Sequence, residues 1–198
     1  MILCIVQNVV KLKKLKVNMK RIGILLGSFD PPHIGHINMA IQALNKELVD
    51  HVVFVPTKQN PWKENSTDLF TRCTMVMSSI KEIDKCSISF IESDLKEPYY
   101  ASNTLRALQK EYNDCELYLI VGADTSLNII YWHEGEWILN NFKFITVSRP
   151  NYITNCDIKQ TLDVSSTMIR ELAQQEKILF PLVTKDVEKL IKLNKLYK

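Results

Sequence analysis

Two histidines stand three residues apart in GSFDPPHIGH, residues 27–36, with a glycine between them and two prolines just before. At the start of a helix, His33 and His36 lie one turn apart and both imidazoles can face one site. A helix N-terminus adds N–H groups and partial positive charge, which together favour a phosphate. Two imidazoles there can also donate to oxygens that gain charge as a phosphoryl group transfers. The pattern alone leaves two other uses open: one histidine capping the helix while the other faces solvent, or metal ligation. With no cysteine or second histidine pair nearby, the metal is the weaker of these, and no protein metal ligand is expected.

A second candidate is VSSTMIREL, residues 164–172. Ser165, Ser166 and Thr167 put hydroxyls and N–H groups at a new helix start, and Arg170 follows one turn on, where a guanidinium can clamp phosphate. Taken alone, it reads equally as an ordinary N-cap with a surface arginine.

The elements that must position these groups are legible as an alternation. RIGILLG reads as a short strand, and HIGHINMAIQALNKEL as a helix with Ile34, Ile37, Ile41, Leu44 and Leu48 at helical spacing. HVVFVP follows as a second strand, completing a βαβ unit. SISFIE, ELYLIVG and FKFITVS are further short apolar runs, expected as interior parallel strands, with helical stretches around TLRALQKEY and GEWIL. The expected fold class is α/β, a doubly wound parallel sheet. Such sheets bind ligands beyond the carboxyl ends of their strands, and the most unusual local chemistry does follow the strands: GSFDPPHIGH, PTKQNPWK, VGAD and SRP.

The bulk numbers suit one α/β domain: 198 residues, 46% hydrophobic, formal net charge +3. That charge fits anionic small molecules and lacks the dense basic stripe of a nucleic-acid binder. Five cysteines, odd in number and never in a Cys-x-x-Cys pair, argue for reduced thiols in the cytoplasm, with neither a disulfide framework nor a zinc site. No apolar run approaches the roughly 20 residues that cross a bilayer. Residues 1–18 are apolar and then basic, the reverse of a secretory signal, and read as an extension ahead of a domain spanning 19–198.

Together the two stretches, some 130 residues apart, carry a resemblance. GSFDPPHIGH looks like the signature of the nucleotidyltransferase superfamily with the His-x-Gly-His motif. VSSTMIREL is similar to the Ser-Ser-Thr-x-Ile-Arg motif of nicotinate/nicotinamide mononucleotide adenylyltransferases, above all the bacterial nicotinate type. VPTKQNPWK, IVGAD and YWH fall where that family has further segments, so the likeness runs from Lys20 to Lys198. It implies a Rossmann-like nucleotidyltransferase fold, with ATP and a pyridine mononucleotide as partners and Mg²⁺ arriving with ATP. It also implies residue roles. His36 meets the ATP phosphates with His33 beside it, and Arg170 acts with them. Gly27, Ser28 and Phe29 line the junction between ATP and mononucleotide, and Lys63 reaches a phosphate. Gly122 and Asp124 lie near the nucleotide sugars, Ser166, Thr167 and Arg170 hold the triphosphate, and Trp132 stacks on the pyridine ring. Homo-oligomerisation stays open.

Three departures from the family pattern bear on the substrate. Ala101 stands where a threonine hydroxyl is usual, Asn103 replaces an acid, and Trp62 replaces the histidine of Pro-His-Lys before Lys63. Tyr100, Ser102 and Thr104 are the expected replacements for pyridine recognition, with nicotinate mononucleotide the expected substrate and the nicotinamide form the alternative. Rival readings are a pantetheine-phosphate adenylyltransferase, a cytidylyltransferase, or a non-catalytic nucleotide-binding module on the same fold.

Overall fold

The computed structural model describes residues 21–58, 67–148, 156–159 and 162–198. In chain order the elements are β1 Arg21–Gly27, α1 Ile34–Asn45, β2 His51–Pro56, α2 Leu69–Ile80, β3 Cys86–Ile88 and α3 Ile91–Asp94. Then follow α4 Ala101–Glu111, β4 Glu116–Gly122, α5 Ala123–Ser126, a 3₁₀ turn Ile129–Tyr131, α6 Gly135–Asn141, β5 Lys143–Val147, α7 Ser166–Gln174 and α8 Lys185–Leu193.

The strands form one sheet in the order β3-β2-β1-β4-β5, with every pair parallel. The order reverses beside β1, so the crevice for a ligand opens between the carboxyl ends of β1 and β4, at Gly27 and Gly122. All six residues of β2 are buried, as a strand covered on both faces requires.

Alternate residues feed two cores. Val52 and Phe54 join Leu25, Ala40, Ala43 and Val76 under α1 and α2, while Val53 and Val55 join Ile22, Ile24, Leu105, Leu108 and Ile138 under α4 and α6. Burial of each such aliphatic side chain stabilises the fold by about 1.5–3 kcal/mol. A third cluster, Ile169, Leu179, Val183, Val187 and Ile191, seats α7 and α8 on Met75 of α2.

Two expectations are corrected. The runs SISFIE and FKFITVS supply the sheet's edges rather than interior strands. Only Ser87 and Ile88 of SISFIE lie in the strand, which begins at Cys86, because the Ser89 hydroxyl then accepts from the Ile91 N–H and turns the chain into α3. In α1 the buried positions are Gly35, Ala40 and Ala43, whereas Ile34 and Ile41 are exposed. Small residues let this helix lie close to the sheet and rotate its stripe away from Ile34 and Ile41.

Candidate functional site

The β1–α1 loop is folded tightly enough to fix its side chains. Phe29 has φ 50°, a left-handed conformation that costs a non-glycine residue about 1–3 kcal/mol. It is retained because the ring is 2% exposed, tilted against Phe54 at 5.6 Å and edge-on to His36 at 4.9 Å. A Cβ on Gly27 would meet the Phe29 ring at 3.3 Å. The Phe29 side chain therefore belongs to the core, and its backbone is the part that faces the expected ligand junction.

His33 is the N-cap of α1 and His36 occupies the third helical position. Their rings stack at 3.7 Å and 26°, so both uses weighed for this pair, capping and a shared face, are combined. The His33 backbone N–H donates to His36 Nδ1 at 3.2 Å, which places the proton of the neutral ring on Nε2. Gly35 is required between them, since a Cβ there would sit 2.9 Å from His33 Nδ1 and 3.1 Å from Val164. The first helical N–H, that of Ile34, already donates to the Leu182 carbonyl at 2.8 Å, so the helix end offers fewer donors than the sequence suggests.

The second stretch meets the first directly. Ser165 caps α7 by accepting from the Met168 N–H at 3.2 Å. The Ser166 hydroxyl donates to the Pro31 carbonyl at 2.9 Å, across 135 residues of sequence. Arg170 donates to the Asp30 carbonyl at 2.8 Å and to the Thr167 hydroxyl at 3.2 Å. A guanidinium carries five N–H donors, so these bonds orient Arg170 while leaving capacity for an anion.

A residue absent from the sequence expectations ties the loop to the rest. Arg72 of α2 is 1% exposed and donates to four backbone carbonyls: Ser28 at 2.6 Å, Thr57 at 2.7 Å, Lys58 at 3.1 Å and Thr67 at 2.7 Å. Burial lowers its pKa and the nearby Asp30 charge opposes that. The signal was available: Arg72 sits on the apolar stripe Leu69, Cys73, Val76 and Ile80, where a charge needs a buried task.

From Lys58 the bonding continues to α4. Glu92, 1% exposed, accepts from the Lys58 N–H at 3.1 Å and, through its other oxygen, from the Thr104 hydroxyl in a short contact. The Ser102 hydroxyl pairs with His133 Nδ1 at 3.1 Å, and the His133 ring stacks on Tyr100 at 4.0 Å and 8°. Ser102 and Thr104, expected at the pyridine, are fully buried, and their hydroxyls bond His133 and Glu92 respectively. The exposed group at this end is His133, within the quoted YWH but with no role assigned.

Trp132 is partly buried against the second core. Its turn is held by Trp132 N–H to Ile129 O and Gly135 N–H to Trp132 O, each 2.9 Å. Glu134 has φ 55°, and a Cβ on Gly135 would fall 2.2 Å from the Ile129 carbonyl. Arg106 donates to Glu134 at 2.7 Å and lies 3.7 Å over the Trp137 ring. Hydrogen bonds from Arg106, then Ser102, hold the Glu134 carboxyl below its ordinary pKa. Gly122 ends β4 and caps α5, with Asp124 in that helix's first turn. Lys63, with Pro61 and Trp62, lies outside the described residues.

This parallel sheet, with two stacked histidines at its first βα turn and an arginine braced against the same turn, defines an α/β nucleotidyltransferase. Residues 24–172 match the Cytidylyltransferase-like family. A nicotinate-nucleotide adenylyltransferase of Bacillus subtilis is 33% identical over 189 residues, covering 91% of this chain and all of that protein. A probable nicotinate-nucleotide adenylyltransferase of Clostridium botulinum is 34% identical over 200 residues, covering 91% and 99%. Among solved structures, the Plasmodium falciparum nicotinic acid mononucleotide adenylyltransferase complexed with NaAD superposes with TM-score 0.78 at 20% identity, over 90% of this chain and 97% of that one. A nicotinate-nucleotide adenylyltransferase of Vibrio parahaemolyticus, itself assigned only as putative, gives TM-score 0.71 at 24% identity, over 90% and 96%. The chain belongs to the cytidylyltransferase-like family, among its nicotinate-nucleotide adenylyltransferases. Among the described residues, no helix is long and apolar enough to cross a membrane.

Proposed function

We propose that the chain transfers the adenylyl group of ATP to nicotinate mononucleotide, giving the deamido dinucleotide and pyrophosphate in NAD biosynthesis. The observation that carries this reading is the direct bonding of Ser166 to Pro31 and Arg170 to Asp30, which makes one phosphate-handling surface from two distant stretches. An oxygen of the mononucleotide phosphate attacks the α-phosphorus of ATP; the α–β bridging P–O bond breaks and its electrons leave with pyrophosphate. The second pKa of a phosphate is about 6, so the nucleophile is an anion at neutral pH and needs no strong base. Positioning and charge stabilisation do the work.

His36 supplies its Nε2–H to the reacting phosphate, with His33 stacked behind it to fix the ring. The remaining donors of Arg170, the start of α7 at Ser166 and Thr167, and Lys63 hold the other phosphates. The backbones of Gly27, Ser28 and Phe29 border the junction, and Gly122 and Asp124 take the sugars. Mg²⁺ would come with ATP and would help neutralise the charge of its phosphates.

At the other end Trp132 covers the pyridine ring. His133, stacked on Tyr100 and bonded by Ser102, presents a ring nitrogen to the pyridine substituent in place of the hydroxyl missing at Ala101. A cytoplasmic setting is supported by the odd number of cysteines, none in a Cys-x-x-Cys pair. The test is a paired assay with ATP, Mg²⁺ and either nicotinate or nicotinamide mononucleotide, following dinucleotide and pyrophosphate together. Equal release of both products, faster with nicotinate, is expected. Preference for the amide overturns the substrate, and no product with either overturns the activity.

A further inference from the structure

We propose that the Tyr197 hydroxyl is a positioning group for adenylyl transfer: by bonding the Asp30 carboxylate it fixes the loop that carries His33 and His36, an inference that rests on the reading above. Tyr197 follows α8 and belongs to the third core, far along the chain from the loop. Its hydroxyl nevertheless donates to Asp30 Oδ1 at 2.7 Å, across 167 residues.

Asp30 is 7% exposed and sits between Phe29, in its left-handed conformation, and Pro31, the acceptor for Ser166. Its other carboxylate oxygen accepts from the Thr67 N–H at 3.1 Å, and its carbonyl accepts from Arg170 at 2.8 Å. Asp30 is therefore where the segment entering α2, the arginine of α7 and the segment after α8 all grip the loop. The arginine is itself assigned to ATP, so Thr67 and Tyr197 are the grips that a ligand need not disturb.

The chain reaches this bond by an unusual path. Lys195 has φ 50° and Tyr197 φ 65°, conformations that side-chain-bearing residues avoid unless something holds them there. The Tyr197 ring packs against the cluster of Ile169, Leu179 and Val187. That packing accounts for an aromatic residue but not for a hydroxyl aimed at a carboxylate, for which phenylalanine would serve as well. Burial, and then the Asp30 charge, push the phenol above its ordinary pKa, so it remains a donor throughout the neutral range.

The ring and the hydroxyl have separable consequences. Catalytic groups work when held within about 0.5 Å of their place, and errors of about 1 Å cost up to 10²-fold. Releasing one of two carboxylate anchors should thus lower turnover more than it lowers stability. The experiment compares Tyr197→Phe, which removes the hydroxyl alone, with Tyr197→Leu, which removes the ring, and with Lys198→Ala as a neighbouring control.

Tyr197→Phe is expected to lower kcat about tenfold with the KM for ATP within about twofold and Tm little changed. Tyr197→Leu should lose both kcat and Tm, and Lys198→Ala should match the parent. A Tyr197→Phe enzyme with parental kcat, or one whose loss is confined to Tm, overturns the proposal. If the parent itself makes no dinucleotide, the adenylyl-transfer reading fails, and the tether is then read from the imidazole ¹⁵N resonances of His33 and His36. Shifts in Tyr197→Phe support it, and unchanged resonances overturn it.

Discussion

The proposed phosphate end and the proposed pyridine end of this crevice are built differently. At the phosphate end, groups from α2, α7 and the segment after α8 converge on residues 28–31: Arg72, Ser166 and Arg170 on main-chain carbonyls, and Tyr197 on the Asp30 carboxylate. At the pyridine end a few side chains of α4 and the Trp132–Gly135 turn support one another, through Tyr100–His133 stacking and the Ser102–His133 and Arg106–Glu134 bonds. The first is braced largely through main-chain carbonyls, acceptors that no substitution removes. The second depends on side-chain identity, so it can change its ligand without disturbing the chemistry.

The largest effect expected is at His36. His36→Ala should lower kcat by about 10²–10³ with either mononucleotide and leave Tm near the parent, as loss of one preorganised donor does. Steady-state rates and a melting curve check it; near-parental kcat would remove His36 from the reaction. Arg72→Met should act on the fold instead, costing about 3 kcal/mol because four buried carbonyls lose a charged donor. Denaturant unfolding reads this directly, and an unchanged midpoint would mean that the brace is dispensable.

Arg170→Ala should follow, raising the KM for ATP and lowering kcat/KM by about 30-fold, which is about 2 kcal/mol. Equal KM values in variant and parent would take Arg170 off the triphosphate. His133→Ala should be the mildest, changing selectivity between nicotinate and nicotinamide mononucleotide by about five- to tenfold, as loss of one hydrogen bond worth about 1 kcal/mol does. An unaltered ratio would assign the pyridine substituent to other groups.

The same division describes what the sequence makes legible. HIGH and SSTMIR are local patterns, and each reports its helix start through the spacing of residues that are near in sequence. That the two touch is invisible to spacing, because the Ser166–Pro31 contact spans 135 residues. Ser102 and Thr104 read as available hydroxyls because a helical pattern does not reveal which partner, Glu92 or His133, already holds each one. Arg72 reads as a flaw in an apolar stripe until the carbonyls it serves are seen. The sheet follows from its apolar runs, but edge and interior strands look alike when helices cover both faces and β3 is only three residues long.

The division of the site into two ends is tested most directly by the ratio of kcat/KM for nicotinate to nicotinamide mononucleotide in the parent, in His36→Ala and in His133→Ala. It predicts a parent that favours nicotinate, a His36→Ala enzyme slowed with both substrates at the parental ratio, and a His133→Ala enzyme with a changed ratio at near-parental turnover. A ratio that moves in His36→Ala, or stays fixed in His133→Ala, would contradict the division of the site into a fixed phosphate end and a selective pyridine end.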